Sequence, residues 1–216
     1  MARRLSLTVE GRNYTVELHK GDLGENVRFE GAIAVDTEAM GLDHHRDRLC
    51  LVQLFDGVDS AHLVQIEPGR DPVRLKALLA DPQRLKILHF ARFDVAMAQR
   101  YLGVLMAPIY CTKIASRLAR TYTDRHGLKD VVKELLGRDL AKEQQSSDWG
   151  AADLSDAQLV YAANDVLHLH EVREKLNAIL EREGRRELAE AAFAFLPTRA
   201  LLDLAGWPET DIFAHA

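Results

Sequence analysis

Residues 32–38 read Ala32-Ile33-Ala34-Val35-Asp36-Thr37-Glu38, an apolar run that ends in two acids separated by one residue. Such a run is typical of a strand buried on both faces of a sheet. Side chains two positions apart on a strand point to the same side, so Asp36 and Glu38 face one spot. Two carboxylates about 4 Å apart repel by roughly 4 kcal/mol at an effective dielectric constant of 20, and a divalent cation removes that penalty. A solvated turn after a strand is the alternative interpretation of this pair.

Shorter apolar stretches on both sides of this run predict the other strands. Asp56-Gly57 lies between two of them and indicates a hairpin. A second hairpin is predicted in residues 1–30, a polar N-terminal edge segment whose role the pattern leaves open. The predicted strands cover residues 6–10, 14–18, 32–36, 49–55, 61–66 and 85–88.

Helix signals dominate the second half of the chain. Asp71-Pro72 predicts an earlier helix with a capping side chain and a proline in its first turn. Ser155-Asp156-Ala157-Gln158 fits a capping box and predicts the start of a long helix. Strands with interspersed helices indicate an α/β domain with a mixed sheet. The other predicted helices cover residues 92–102, 112–119, 128–136 and 186–204.

Length and composition indicate one globular domain. The 216 residues are 47% hydrophobic and 28% charged, which is ordinary for a globular protein. The net charge of −5 lacks the positive balance of proteins that grip long nucleic acid, so a nucleic-acid substrate is expected to be short. No apolar run of about 20 residues predicts a membrane span. The basic start has no apolar signal core, and Cys50 and Cys111 form no disulfide framework, so a cytoplasmic location is expected.

Two further patterns contain acids that could join the first pair. Tyr161 and Asp165 are four residues apart on the predicted long helix and share one face. Together they could supply a metal ligand and a hydroxyl that positions an attacking water, or they could be an interfacial tyrosine beside a surface acid. Asp94 follows the strand at 85–88, where its charge could simply favour the start of a helix.

The four acids together have the composition of a two-metal site. Hydrolysis of a phosphodiester by two metal ions needs several carboxylates around ions roughly 4 Å apart. Four carboxylates balance two divalent cations, and hard oxygen ligands suit Mg²⁺ or Mn²⁺. We therefore predict that folding gathers Asp36, Glu38, Asp94 and Asp165 into one pocket, with Tyr161 beside them.

Three segments resemble the motifs of the DEDDy group of DnaQ-like 3′→5′ exonucleases, specifically the ribonuclease D-like enzymes. They are Val35–Glu38, Leu88–Asp94 and Tyr161–Asp165, whose Tyr-x-x-x-Asp spacing is that of the group. Phe90 stands where many relatives carry Asn. The resemblance covers most of the chain and implies a ribonuclease H-like fold, a mixed sheet flanked by helices. The exonuclease domain is expected over residues 31–185, followed by a helical C-terminal extension, residues 186–216.

The chain also resembles the NanoRNase C enzymes, short ribonuclease D-like exonucleases of alphaproteobacteria. The resemblance implies hydrolysis of short single-stranded RNA, dinucleotides especially, to nucleoside 5′-monophosphates, and assembly into a homo-octamer. Two other functions stay open: 3′→5′ trimming of longer RNA such as tRNA, or of DNA, and an inactive nucleic-acid-binding module. The segments that carry this resemblance are His44–Cys50, Cys111–Ser116, Arg120–Gly127 and Asp211–His215.

The resemblance also implies a role for each residue of the expected site. Asp36, Glu38 and Asp165 are expected to bind the catalytic cation. Asp36 is expected to bridge to a second cation, and Asp94 is expected to support that cation. Tyr161 is expected to orient the attacking water.

The expected substrate contacts surround these acids. Leu42 is the expected apolar wedge against the terminal base, because stacking on apolar groups tolerates any base; a buried core leucine is the alternative. His89 is either a phosphate contact or a hydrogen-bonded structural histidine. Trp207 and Phe213 in the C-terminal extension dock either on a neighbouring subunit or on their own domain. The full set of expected substrate contacts is Thr37, Met40, Gly41, Leu42, His89, Gln145 and Ser147.

Overall fold

The computed structural model describes residues 2–140 and 147–215, which form seven strands and seven helices. The strands are β1 (Arg3–Val9), β2 (Arg12–Lys20), β3 (Ile33–Ala39), β4 (Leu49–Phe55), β5 (Ser60–Gln65), β6 (Lys86–Leu88) and β7 (Ile109–Cys111). The helices are α1 (Val73–Ala80), α2 (Ala91–Leu102), α3 (Thr112–Ala119), α4 (Leu128–Leu136), α5 (Asp156–Leu167), α6 (Leu169–Arg182) and α7 (Arg186–Leu204). Within these described ranges, no helix has both the length and the apolarity needed to span a membrane.

The strands form one mixed sheet in the order β1-β2-β5-β4-β3-β6-β7. The pairs β1–β2, β4–β5 and β3–β4 are antiparallel, and the pairs β2–β5, β3–β6 and β6–β7 are parallel. This confirms the predicted α/β class with a mixed sheet. Ile33, Ala34 and Val35 of β3 are completely buried, as expected for an apolar strand with neighbours on both sides.

The N-terminal hairpin belongs to this sheet. Its turn contains Gly11 with a φ of 78°, a left-handed conformation that glycine adopts without strain. β2 pairs in parallel with β5 from Thr15 to Lys20, so it extends beyond the predicted residues 14–18. His19 and Lys20 are added by pairing with a strand about 45 residues away, which a local pattern does not reveal, whereas residues 12 and 13 pair with β1.

Helix α5 lies across β2, β3, β4 and β5. It starts with the predicted capping box, in which Ser155 Oγ accepts from the Gln158 N–H and Gln158 Oε1 accepts from the Ser155 N–H. The predicted long helix is, however, two helices that meet at His168. Beyond His168, α6 packs against α3 and α4 and contacts the sheet at β6.

The start of α1 corrects a second prediction. Asp71 does not cap this helix, and its carboxylate instead accepts from Lys76 Nζ at 2.9 Å. The carboxylate of Asp22 accepts from the backbone N–H groups of Arg74 and Leu75, at 3.1 and 3.0 Å. The cap therefore comes from a distant part of the chain. Pro72 occupies the N-cap position and not the first turn.

The sequence patterns missed one strand and displaced the ends of others. β7 has only three residues and follows Pro108, so it has no periodicity to detect. β5 starts and ends one residue before the predicted 61–66, and β6 begins one residue after the predicted 85. The predictions for α3, α4 and α7 agree with the structure, and α2 ends at Gly103 as expected.

Candidate active site

The first three acids come from β3 and α5. Asp36 and Glu38 point to the same side of β3, and α5 places Asp165 above them. One carboxylate oxygen of each residue lies within 4.8 Å of the corresponding oxygens of the other two. The packing of α5 across the sheet therefore brings together acids that are about 130 residues apart in sequence.

Asp94 joins this group from the first turn of α2. Its Oδ1 accepts a hydrogen bond of 2.6 Å from Thr37 Oγ1, and Thr37 lies between the two acids of β3. Asp94 is only 3% exposed. A favourable interaction with the helix dipole does not by itself account for an acid that is buried beside other acids.

Burial raises the pKa of all four carboxyls, and repulsion by neighbouring acids raises it further for Asp36, Glu38 and Asp165. Burial is the largest cause for Asp36, followed by the charges of Asp94, Asp165 and Glu38. Burial, then the neighbouring acids Asp165 and Asp94, raises the pKa of Glu38 to about 9. Burial raises the pKa of Asp94 to about 7, against the opposing hydrogen bond from Thr37. The pKa of Asp165 is also raised to about 7, by burial and then by Asp94.

This cluster of acids fits divalent cations. Among residues 2–140 and 147–215, no lysine or arginine forms an ion pair with any of the four carboxylates. The side chains that donate hydrogen bonds to them include the Thr37 hydroxyl and the Gln53 amide, which lies 3.4 Å from Asp36 Oδ2. Converging carboxylates without a basic partner are the ligand set that hard cations such as Mg²⁺ and Mn²⁺ prefer.

Tyr161 lies one helical turn before Asp165 and is half-buried. Burial, followed by the charges of Asp165, Glu38 and Asp36, raises the pKa of its hydroxyl well above the usual range. The phenol therefore keeps its proton at physiological pH and can donate a hydrogen bond. Its ring lies 6.1 Å from the ring of Trp149, which is 2% exposed.

A cavity of about 560 Å³ opens beside the acids. Leu42 lies at this cavity and is 84% exposed, so it is not a buried core leucine. Gln145, another expected contact, lies outside the described residues. The expected contacts that line the cavity are Thr37, Met40, Gly41, Leu42, His89 and Ser147.

His89 lies at the cavity as a neutral ring. Its Nδ1 lies 2.8 Å from Thr112 Oγ1, in a hydrogen bond that holds the ring against α3. Burial, followed by the charge of Lys113, lowers the pKa of His89 to about 3. The ring therefore carries no positive charge at neutral pH, so a contact with phosphate, which stays a prediction, would be a hydrogen bond from a neutral ring.

Two aromatic residues outside the expected set of substrate contacts also line this cavity. Trp149 closes one side of it, and Phe90 is 46% exposed with a φ of 65°. Lys113 Nζ lies 4.3 Å from the centre of the Phe90 ring, in a cation–π contact. Phe90 is the residue of the second motif that stands where many relatives carry Asn, and this difference is the sequence signal that points to it.

Comparison with known proteins agrees with this geometry. Residues 17–181 match the sequence profile of a family described as 3′-5′ exonuclease. Ribonuclease D of Gluconacetobacter diazotrophicus is 38% identical over 173 residues, which are 80% of this chain and 44% of that protein. The chain spans less than half the length of the curated ribonuclease D relatives that it matches first.

Solved structures extend the similarity to nearly the whole chain. Brucella melitensis NrnC with bound Mg²⁺ is 50% identical with a TM-score of 0.88, covering 93% of this chain and 99% of that one. Brucella melitensis NrnC bound to pGG is 51% identical with a TM-score of 0.89, covering 94% and 100%. These neighbours confirm the expected ribonuclease H-like fold and the resemblance to NanoRNase C. The chain therefore belongs to the DnaQ-like 3′-5′ exonuclease family, in its ribonuclease D-like branch.

Proposed function

We propose that this protein is a 3′→5′ exoribonuclease that hydrolyses short oligoribonucleotides, dinucleotides especially, to nucleoside 5′-monophosphates. The observation that carries the proposal is the convergence of Asp36, Glu38, Asp94 and Asp165 beside Tyr161, with the first three of these acids lining an open cavity. Family membership supports the reaction class. The solved complex of NrnC with pGG supports a short RNA as the substrate.

Two divalent cations, Mg²⁺ or Mn²⁺, are proposed as cofactors. Asp36, Glu38 and Asp165 would hold one of them, and Asp36 with Asp94 would hold the second. When bound, the cations would lower the pKa of water and neutralise charge on the phosphate and on the leaving oxygen. The solved structure of NrnC with Mg²⁺ supports this assignment.

The side chains around the acids would position the reactants. The Tyr161 hydroxyl keeps its proton, so it can donate a hydrogen bond that orients the attacking water toward the terminal phosphate. Thr37 holds Asp94 in place through its hydrogen bond. Leu42 and Met40 are 84% and 58% exposed and can stack on the terminal base without selecting its identity.

Short substrates suit this molecule for two reasons. The net charge of −5 provides little general attraction for a long polyanion, so affinity would depend on contacts close to the scissile bond. The cavity of about 560 Å³ lies within the range of small-molecule sites, roughly 300–1,000 Å³.

A cytoplasmic location is proposed as well, supported by the two buried free cysteines, Cys50 and Cys111.

The test is hydrolysis of end-labelled RNA of graded length, starting at two nucleotides, with Mg²⁺ or Mn²⁺ present. We expect the highest kcat/KM for dinucleotides, and a loss of at least about 10³-fold in Asp165→Asn. Asp153→Asn is the matched control, because this acid has an 85% exposed side chain outside the cluster. A preference for long RNA or DNA would favour the trimming function, and binding without hydrolysis would favour an inactive binding module.

A further inference from the structure

A second group of metal-ligand side chains lies on β2 and β5, outside the active site. It consists of Glu17, His19 and His62. The parallel register places His62 directly opposite Glu17, and His19 follows Glu17 by two residues, so all three point to the same side. Their side chains are only 12%, 6% and 11% exposed. Two rigid neighbouring strands therefore hold these three groups at close range.

This cluster faces away from the proposed catalytic acids. Asp36 on β3 and Leu18 on β2 lie in one row across the sheet. Directly paired residues of β4 and β5 connect them. Leu18 therefore lies on the same face as Asp36. Glu17 and His19 are the strand neighbours of Leu18 and point to the opposite face, as does His62, which pairs with Glu17. The cluster shares no residue with the catalytic cavity.

The distances within the cluster suit a transition-metal ion. His19 Nε2 and His62 Nδ1 are 3.0 Å apart, and Glu17 Oε2 lies 3.9 Å from each. A point equidistant from these three atoms lies about 2.1 Å from each of them, within the roughly 2.0–2.2 Å typical of Zn²⁺ bonds to imidazole and carboxylate. Without a metal, the two rings share one hydrogen bond, and metal binding would move that proton to an outer ring nitrogen.

The surroundings support a built site with one open position. Arg4 Nη2 lies 3.0 Å from Glu17 Oε1, which orients the carboxylate and leaves Oε2 toward the two rings. The ring of Phe29 packs edge-on against His62, with centroids 5.3 Å apart. A cavity of about 400 Å³, lined in part by residues 24–28, opens onto the two histidines and leaves room for water.

We propose that Glu17, His19 and His62 bind one transition-metal dication of the Zn²⁺ class, at a site separate from the catalytic cations. Two imidazoles and a carboxylate favour Zn²⁺, Co²⁺ or Ni²⁺ over Mg²⁺, which prefers oxygen ligands. Three protein ligands leave the fourth position to water from the adjacent cavity. Because Glu17 and His19 lie on the N-terminal hairpin and His62 on β5, the ion ties this hairpin to the central sheet.

The test uses the metal-free full chain, saturated with Mg²⁺ and then titrated with Co²⁺ and, separately, with Zn²⁺. Visible absorption reports imidazole ligation of Co²⁺, and equilibrium dialysis gives the number of Zn²⁺ ions bound. We expect one equivalent in the wild type and a loss of affinity of at least about tenfold in His62→Gln and in His19→Gln. His170→Gln is the matched control, because this histidine is hydrogen-bonded to Phe55 O away from the cluster.

Three results would overturn the proposal: no imidazole-ligated Co²⁺ in the wild type, unchanged affinity in His62→Gln, or loss of the Co²⁺ spectrum in Asp36→Asn. Retention of that spectrum in Asp36→Asn is expected and keeps this site independent of the proposed exonuclease function. If the histidine variants fail to fold, nuclear magnetic resonance of the wild-type ring nitrogens decides. Zn²⁺ must shift the signals of His19 and His62, and unshifted signals contradict the site.

Discussion

The carboxyl of Glu38 carries a pKa of about 9 because it is buried beside Asp165 and Asp94. In an unfolded chain the same group titrates near pH 4.3. Above that pH the unfolded state ionises while the folded state keeps its proton, so the folded state loses stability as pH rises. The loss starts near pH 4 and continues until the pH passes the folded pKa, about 9 for Glu38 and about 7 for Asp165.

Glu38→Gln is therefore expected to stabilise the metal-free protein at alkaline pH. In EDTA at about pH 9 its Tm should exceed that of the wild type by several degrees, since about 1 kcal/mol shifts Tm by about 2–4 °C in a chain of this size. The difference should disappear near pH 4, where both states are protonated. Calorimetry across this pH range is the measurement, with Asp153→Asn as the control. A wild-type Tm that does not fall between pH 5 and pH 9 would contradict the argument.

Leu42→Ala tests the proposed contact with the terminal base. The side chain is 84% exposed, so its removal should leave Tm unchanged while KM for a dinucleotide rises about tenfold. Leu188→Ala is the control, because it removes a different exposed leucine, on α7. It should change neither Tm nor KM. Steady-state kinetics and thermal unfolding give the two readouts. An unchanged KM would remove Leu42 from the substrate site.

At the scale of the elements, helix α1 depends on a residue outside it. Asp22 accepts hydrogen bonds from the N–H groups of Arg74 and Leu75 and joins the segment after β2 to this helix. Asp22→Ala is expected to lower the free energy of unfolding by about 0.5–2 kcal/mol, the usual cost of losing a helix cap. Asp71→Ala should cost less, because Asp71 makes only an exposed ion pair with Lys76. Urea unfolding of both variants is the measurement, and equal losses would refute this assignment of the cap.

Helix α7 is connected to the helix that carries Asp94. Arg92 of α2 donates to both carboxylate oxygens of Asp203 on α7, at 2.6 and 2.7 Å, and Arg199 also pairs with this acid. The side chain of Asp203 is 1% exposed, so its charge is balanced by the two arginines and not by water. The C-terminal extension thus supports the element that presents a candidate metal ligand.

At the scale of the whole molecule, the C-terminal extension retains exposed aromatic side chains. Phe213 is 76% exposed, although its ring lies 5.9 Å from that of Phe195 on α7. Trp207 is 48% exposed. Phe213 therefore contacts α7 of its own chain and still offers apolar surface to a neighbour. The homo-octamer that the family resemblance implies stays a prediction, and this surface is its proposed interface.

Analytical ultracentrifugation is expected to show an octamer for the wild type. The double variant Trp207→Ala, Phe213→Ala should shift the population to smaller species, because it removes exposed apolar area from the proposed interface. Circular dichroism of the variant should retain the wild-type helix signal. Leu188→Ala, which removes an exposed leucine and neither aromatic residue, is the control for the double variant. A wild-type monomer would contradict the octamer, and an unchanged octamer in the double variant would place the interface elsewhere.

The sequence alone determined those features whose causes lie within a few residues. The apolar run before Asp36 predicted a buried strand, and the i, i+2 spacing predicted that Glu38 faces the same side. The capping box at Ser155 and the glycine after α2 placed helix ends correctly, because caps and left-handed turns are local interactions. The family motifs predicted the four acids as one site, because each motif contains one or two of them.

Only the tertiary structure decided which distant residues meet. The cap from Asp22, the break at His168 and the short strand β7 all depend on packing partners that a local pattern does not contain. The cluster of Glu17 and His62 exists because β2 pairs with β5 in one register, and a shift of one residue would turn His62 to the other face. Periodicity and caps are short-range, whereas strand order and register are set by burial of the whole sheet.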